Sequence, residues 1–223
     1  MTAAINVRVA RRKLKLLLAR ERVLWGSGIE HVAGVDEAGV GPLAGPVVAA
    51  AVVFPRDCGI LGVNDSKAID PERRESLALE IRERALAFAV AVVEPEEIDR
   101  VNVYQATLRA MARAVLALSV TPQHVLVDAR RIPDCEIPQE PIIKGDTLCH
   151  AIAAASILAK TSRDALMRGY EETYPGYGFA EHKGYSTDAH RDAIKRLGPC
   201  AIHRRSFTLL RPPTLFDELT NPR

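Results

Sequence analysis

The sequence predicts an α/β domain, a mixed sheet covered by helices. Short apolar runs with strand character, Pro46 to Phe54 and His124 to Asp128, alternate with much longer stretches of helical character. The first two such runs, His31 to Asp36 and Pro46 to Phe54, lie close enough together to suggest a hairpin. The chain has 223 residues, 48% hydrophobic and 26% charged, which suits one main domain with a sizeable core.

Taken in order, Leu14, Leu16, Leu17, Leu18, Val23, Leu24 and Trp25 among basic residues predict an amphipathic opening helix ending near Gly26 and Gly28. Between the first two strands, Gly39, Gly41, Pro42 and Gly45 mark a turn or bulge, so the first strand delivers Asp36 and Glu37 into a Gly-rich loop. Asp70 before Pro71 is an N-cap and first-turn pair that opens a helix through about Ala87, followed by a strand over Phe88 to Val93. A short helix over Pro95 to Asp99 and a long one over Asn102 to Leu118 precede the His124 to Asp128 strand, and Ile142 and Ile143 suggest another. Ala151 to Met167 is Ala-rich and predicts a closely packed helix. The last helix runs from Thr187 as N-cap to Leu197, with Gly198 and Pro199 as its stop.

The net charge of +2 conceals segregation. Residues 1–20 hold six basic and no acidic residues, residues 182–211 hold seven Lys or Arg against Asp188 and Asp192, and residues 21–181 carry a net −8. Basic ends around an acidic middle suit a polyanion held near a carboxylate site through metal ions. The longest nearly uncharged stretches, Pro42 to Phe54 and Ala85 to Val93, fall short of the roughly 18–20 apolar residues a membrane span needs. Arg11, Arg12, Lys13 and Lys15 break up any signal-peptide core, and no two of Cys58, Cys135, Cys149 and Cys200 have zinc or redox spacing. A reducing, cytoplasmic compartment is expected.

Asp36, Glu37, Asp128 and Asp146 each adjoin a strand-like segment or a helix start rather than a repeating polar face. A carboxylate at the end of a buried strand loses solvation unless it is paired or binds a cation. Mg²⁺ or Mn²⁺ is the natural partner of such a set, and two ions about 3.5–4 Å apart would activate water and stabilise the leaving oxygen in phosphodiester cleavage. In a regular strand Asp36 and Glu37 point to opposite faces, so their reaching one centre is expected to require a departure from ideal strand geometry, which Gly39 and Gly41 permit.

Six blocks carry a resemblance. Gly34-Val-Asp-Glu-Ala-Gly-Val-Gly-Pro-Leu-Ala-Gly-Pro46, Asn64-Asp-Ser-Lys67, Val127-Asp128, Lys144-Gly-Asp146, the run Ile152 to Lys160 with Arg163-Asp164, and His182-Lys-Gly-Tyr185 together resemble ribonuclease HII, in family order over about residues 20–210. The resemblance implies an RNase H-like fold with a mixed five-stranded central sheet flanked by helices and a small helical C-terminal region. It divides the chain into a basic N-terminal helix (1–30), a catalytic domain (31–170) and a helical basic C-terminal region (171–223) packed on the same domain. It implies a metal-dependent endonuclease acting on RNA/DNA hybrids and on single ribonucleotides in duplex DNA, cutting 5′ of the ribonucleotide to leave 3′-hydroxyl and 5′-phosphate ends. Asp36, Glu37, Asp128 and Asp146 would be its metal-binding catalytic carboxylates. Gly39, Val40 and Gly41 would contact the 2′-hydroxyl through backbone groups, and Tyr185 would stack on the sugar of the following deoxynucleotide. Asn64, Ser66 and Lys67 would contact phosphates; Lys160, Arg163 and the Arg204-Arg205 pair would either do the same or hold the fold, and Asp164 is expected to be structural. No obligate protein partner is implied and a monomer is expected, with the basic N-terminal helix and the Arg211 to Arg223 tail as candidate docking elements.

Val40 departs from the family pattern, which has a basic residue between these glycines. A lost charge-assisted phosphate contact is worth ~1.5–3 kcal/mol, about ten- to a hundredfold in binding or rate. Two other readings therefore stand beside the nuclease: a hybrid- or junction-binding protein weakened in catalysis, and another two-metal nuclease on the same fold.

Overall fold

In strand β2 (Val47–Val53) every side chain is buried, because helices cover both faces of the sheet. The computed structural model describes residues 2–210, with side chains from residue 7 onward; the Arg211 to Arg223 tail, and with it the end of the 171–223 region, lies outside them. β2 pairs antiparallel with β1 (Val32–Ala38) and with β3 (Ala87–Val93), while β4 (His124–Asp128) and β5 (Gln139–Ile142) run parallel to β1 beyond it. The order β3-β2-β1-β4-β5 is the mixed five-stranded sheet expected.

The strand period of two sorts the side chains. Val47, Ala49, Ala51 and Val53 join Ala33 and Val35 of β1 against helix α5 (Val103–Leu116), which presents Ala106, Ala110, Met111 and Ala114. On the other face Ala50 and Val52 meet helices α3 (Pro71–Arg84) and α7 (His150–Thr173), the latter through Ala151, Ala154, Ala155 and Leu158. Alanines let α7 lie close against β1. A Cβ on Gly34 would come within 2.1 Å of the Ala151 backbone carbon. Neither backbone has room to yield, so Gly34→Ala is expected to cost about 3 kcal/mol and lower the melting temperature by about 6–12 °C; an unchanged thermal melt would contradict this packing.

The opening helix is two helices, α1 (Thr2–Leu17) and α2 (Ala19–Gly26), broken at Leu18 where the chain turns to bury Leu18 and Trp25 against Val32, Leu126 and Ile152. From α2, buried Glu21 accepts a hydrogen bond from Ala151 N at 2.9 Å, and burial raises its carboxyl to about 7. The α3 helix stops at Arg84, short of the expected Ala87, because Ala87 already pairs with Val53. The last strand is Gln139–Ile142 rather than Ile142 with Ile143; Ile143 is exposed. Proline at 141 is tolerated because β5 is an edge strand.

The remaining elements are α4 (Pro95–Val101), α6 (Gly145–Leu148), α8 (Phe179–His182) and α9 (Asp188–Leu197), with a 3₁₀ turn at Ser66–Ala68. The C-terminal region packs on the end of α7 through Met167, Tyr177, Phe179, Ala193 and Ile202, joined by Ala44 from the Gly-rich loop. Among the described residues no helix is long and apolar enough to cross a membrane.

Candidate active site

Asp36, Glu37 and Asp128 converge at one end of the sheet, each offering a carboxylate oxygen within 4.8 Å of the others. The convergence does not need the irregular strand expected from the sequence, since β1 stays in register with β2 through Ala38↔Val48. The opening comes from the other side. β4 pairs with β1 only as far as Val35↔Val127, so past that point β1 has a free edge around which both carboxylates reach Asp128 at the tip of β4.

Each carboxylate is held by a different element. Asp36 faces α7, where Ser156 lines the same cleft and helps hold its pKa down, and its Oδ1 accepts from Glu37 N at 2.7 Å. Asp128 Oδ1 accepts from Gly145 N at 2.8 Å, which ties β4 to α6. Glu37 Oε1 accepts from Arg130 Nη1, while its buried Oε2 has no partner. Burial first, then the charges of Glu37 and Asp128, lifts the Asp36 carboxyl well above the usual range. Burial lifts Glu37 despite Arg130. Asp146, at the start of α6 on the rim of the same cleft, is raised by burial and then by Asp65 and Asp128. Partly buried carboxylates that raise one another's pKa, one with an orphaned oxygen, fit a divalent cation, which removes both the repulsion and the unmet acceptor.

The cleft, about 290 Å³, is lined by all four carboxylates with Gly39, Val40, Gly41, Ser66, Lys67, Ser156 and Tyr185. Ser66 is buried and shares a hydrogen bond with Ser156 at 2.8 Å, which ties the 3₁₀ turn to α7 at the wall of the cleft. Lys67 stands exposed at the rim. Of the other residues expected at the substrate, Asn64 does not line this cleft, while Lys160 and Arg163 stand beside it, 5.9 Å and 5.8 Å from the centroid of the Tyr185 ring. Asn64 lines a different cleft, under α1, and Asp65 after it caps the following turn through Lys67 N. Lys160 is paired with Asp164 at 2.7 Å, and Asp164 also takes Arg74, which makes that acid structural as expected.

Arg163 is fully buried and donates to the carbonyls of Pro46, Ala44 and Lys183. Arg204, equally buried, donates to those of Gly39, Val40 and Gly45. Among the described residues neither guanidinium is bonded to a carboxylate. Together they fix the shape of the 39–46 loop, and each nitrogen of the Arg163 guanidinium donates to a backbone carbonyl, which favours the fold-holding alternative for that residue over the phosphate contact. Their positive edges also lie within 6 Å of aromatic rings, Arg163 under Tyr185 at 5.8 Å and Arg204 under Phe207 at 5.1 Å. The loop follows the route Gly39 allows, at φ +94°, where a Cβ would strike the Arg163 side chain at 2.2 Å.

Sequence reasoning missed Ser156 and Arg130, and for Arg204 it left phosphate contact and holding the fold as alternatives. Ser156 had a signal, a lone hydroxyl after five residues of an otherwise apolar helix face. Arg130 had none that distinguishes it from a surface arginine.

Acids gathered from the ends of two parallel neighbouring strands, over an open cleft with a backbone-lined loop, place the molecule among nucleases of the RNase H fold. The structure of the PCNA:RNase HII complex from Archaeoglobus fulgidus superposes with a TM-score of 0.68 at 29% identity, covering 84% of this chain and 99% of that one. The chain belongs to the ribonuclease HII family, whose model, described as Ribonuclease HII, matches residues 33–210. A Ribonuclease HII from Anaeromyxobacter sp. (strain Fw109-5) is 56% identical over 200 residues, 90% of this chain and 64% of that protein. One from Myxococcus xanthus (strain DK1622) is 55% identical over 201 residues, 90% of this chain and 69% of it. This chain therefore spans less than two thirds of the length of the first of these relatives.

Proposed function

We propose that the chain is a metal-dependent endoribonuclease that hydrolyses the RNA strand of RNA/DNA hybrids and nicks duplex DNA 5′ of a single embedded ribonucleotide, leaving 3′-hydroxyl and 5′-phosphate ends. The observation that carries the reading is the convergence of Asp36, Glu37 and Asp128 in a cleft that the Gly39-Val40-Gly41 loop also lines. Two Mg²⁺ or Mn²⁺ ions, held by these three carboxylates with Asp146, would supply an activated water and neutralise charge on the phosphate. The protein's own groups do the rest. Glu37 N and Gly145 N aim Asp36 and Asp128, and Arg130 braces Glu37. Lys67 offers a positive charge to the phosphate backbone at the rim. Gly39, Val40 and Gly41 present backbone groups to the 2′-hydroxyl, and Tyr185 stacks against the following deoxyribose. Glycines on either side of Val40 let nucleic acid approach the backbone closely.

One chain supplies all four carboxylates of the cleft, so the proposed chemistry asks for no residue from a second copy. Nucleic acid is its partner. Four unpaired thiols, Cys58, Cys135, Cys149 and Cys200, suit the cytoplasm.

Val40 lines the cleft, so a basic side chain there reaches substrate phosphate. Val40→Arg is expected to lower KM for a ribonucleotide-containing duplex by about ten- to a hundredfold and to steepen the salt dependence of binding by about one ion. Steady-state cleavage kinetics measure the first and fluorescence anisotropy over a salt series the second; unchanged affinity and rate would mean that the side chain at 40 points away from the substrate. The activity itself is tested by cleavage of a hybrid with Mg²⁺ or Mn²⁺, and binding without cutting in either metal would favour the recognition-protein reading.

A further inference from the structure

Behind Tyr185 lies a file of buried histidines that the chemistry above does not use. His190 and His203 are almost completely buried, and burial pushes both below the ordinary histidine range, His190 to about 4. Each is therefore neutral at pH 7, with one ring proton whose place its partners decide. Cys200 N donates to His203 Nδ1 at 2.9 Å, so His203 carries its proton on Nε2. That proton lies between His203 Nε2 and His190 Nε2, 3.1 Å apart, so His190 Nε2 is the acceptor and its own proton is on Nδ1. His190 Nδ1 then donates to the Tyr185 carbonyl at 2.9 Å. The file has one direction, from Cys200 N through two rings to the backbone of Tyr185.

The His190 ring is also fixed on its faces. His182 stacks on it at 4.3 Å between centroids, and Phe179 meets it edge-on at 5.5 Å. His182 is locked in turn, because Gly184 N donates to its Nδ1 at 3.1 Å, leaving Nε2 to donate to the Tyr177 carbonyl at 2.7 Å. The segment these rings hold is one with unusual backbone: Lys183 is at φ +52° and Gly184 at φ +80°. A Cβ on Gly184 would lie 2.4 Å from the Ala44 carbonyl oxygen, and Leu43 N donates to Gly184 O at 2.9 Å, so the Tyr185 turn is docked directly onto the Gly-rich loop.

We propose that His190, oriented by His203, is a positioning residue that fixes the Tyr185 turn against the 39–46 loop and so sets the preference for an RNA-to-DNA junction over a uniform hybrid. The proposal rests on the reading of Tyr185 as the group that stacks on the deoxynucleotide. Removing the Nδ1 donor frees the Tyr185 carbonyl from its side-chain partner, and an aromatic ring that must meet a sugar face loses its registry with the loop that reads the 2′-hydroxyl.

Isosteric variants separate this from packing. Asparagine places its amide nitrogen where histidine has Nδ1, whereas glutamine places it nearer Nε2. The measurement is the ratio of kcat/KM for a duplex with one embedded ribonucleotide to kcat/KM for a uniform RNA/DNA hybrid, taken for wild type, His190→Asn, His190→Gln, His203→Gln, His203→Asn and Tyr185→Ala at a temperature where circular dichroism shows each folded. The expected result is a ratio within about twofold of wild type for His190→Asn, and about a tenfold loss for both His190→Gln and Tyr185→Ala. His203→Gln, which keeps an Nε2 donor, is expected to hold the ratio better than His203→Asn; this second pair carries the same contrast if His190→Gln does not fold. Equal ratios within the Asn and Gln pairs, with Tyr185→Ala still reduced, would overturn the positioning role. An unchanged ratio in Tyr185→Ala would overturn the stacking reading itself, and with it the proposal.

Discussion

Asp36→Asn and Asp128→Asn are each expected to reduce cleavage at least about a thousandfold while leaving the circular dichroism spectrum unchanged. Asparagine keeps the shape of the side chain but removes the charge that would hold a cation and offset the developing negative charge on phosphate. The two variants differ in stability. Asp36 is 5% exposed and lies within 4.8 Å of two other carboxylates, so its negative charge is destabilising in the metal-free fold. Asp36→Asn relieves that repulsion and is expected to raise the melting temperature of the metal-free protein by about 2–4 °C, about 1 kcal/mol for a chain of this size. Titration of Mg²⁺ or Mn²⁺ followed by thermal melting completes the test: stabilisation by the ion is expected in wild type and lost in both variants. Wild-type cleavage by either variant would remove the carboxylate cluster from the chemistry.

Arg204 is expected to be the most sensitive position outside the carboxylates. Its guanidinium makes four hydrogen bonds to three carbonyls of the Gly-rich loop, those of Gly39, Val40 and Gly45. Arg204→Ala leaves those acceptors buried and unmet, at ~1–3 kcal/mol each, partly offset by removing a cation whose burial and proximity to Arg163 press its pKa down to about 9. The net expectation is a loss of about 3 kcal/mol, read as a melting temperature about 6–12 °C lower, with cleavage of ribonucleotide-containing duplex falling further than the loss of folded protein explains. Arg204→Lys is not expected to rescue it, because an ammonium cannot span three carbonyls as the planar fork does. A lysine variant with wild-type stability and cleavage would show that only the charge matters.

The strand-end acids were legible because an apolar run that stops at a carboxylate marks a buried strand opening into a cleft, as Val125 to Asp128 does. How Asp36 and Glu37 reach one centre was not legible. The answer is the register of β1 against β4, a pairing between segments almost ninety residues apart, and local spacing holds no record of it. The β5 strand was half hidden for a related reason, since Gln139, Glu140 and Pro141 look like loop residues and become a strand only by lying along an edge of β4. Arg163 and Arg204 show the same limit for side chains. From the sequence each reads equally as a phosphate contact or as a residue that holds the fold, and only burial against the carbonyls of a loop far away in sequence favours the second. Capping, by contrast, is local: Asp70 accepts from Glu72 N at 3.0 Å, and Thr187 accepts from His190 N at 3.2 Å, each where the sequence places it.

The central claim is that this carboxylate cleft and its Gly-rich loop form a junction-sensing ribonuclease despite Val40. The most direct measurement is cleavage of a DNA duplex containing one ribonucleotide, with Mg²⁺ and separately Mn²⁺, beside an all-DNA duplex of the same sequence. A single nick 5′ to the ribonucleotide, leaving 3′-hydroxyl and 5′-phosphate ends and absent from the all-DNA duplex, is the predicted result. Cleavage of both duplexes alike, or binding with no cleavage in either metal, would contradict it.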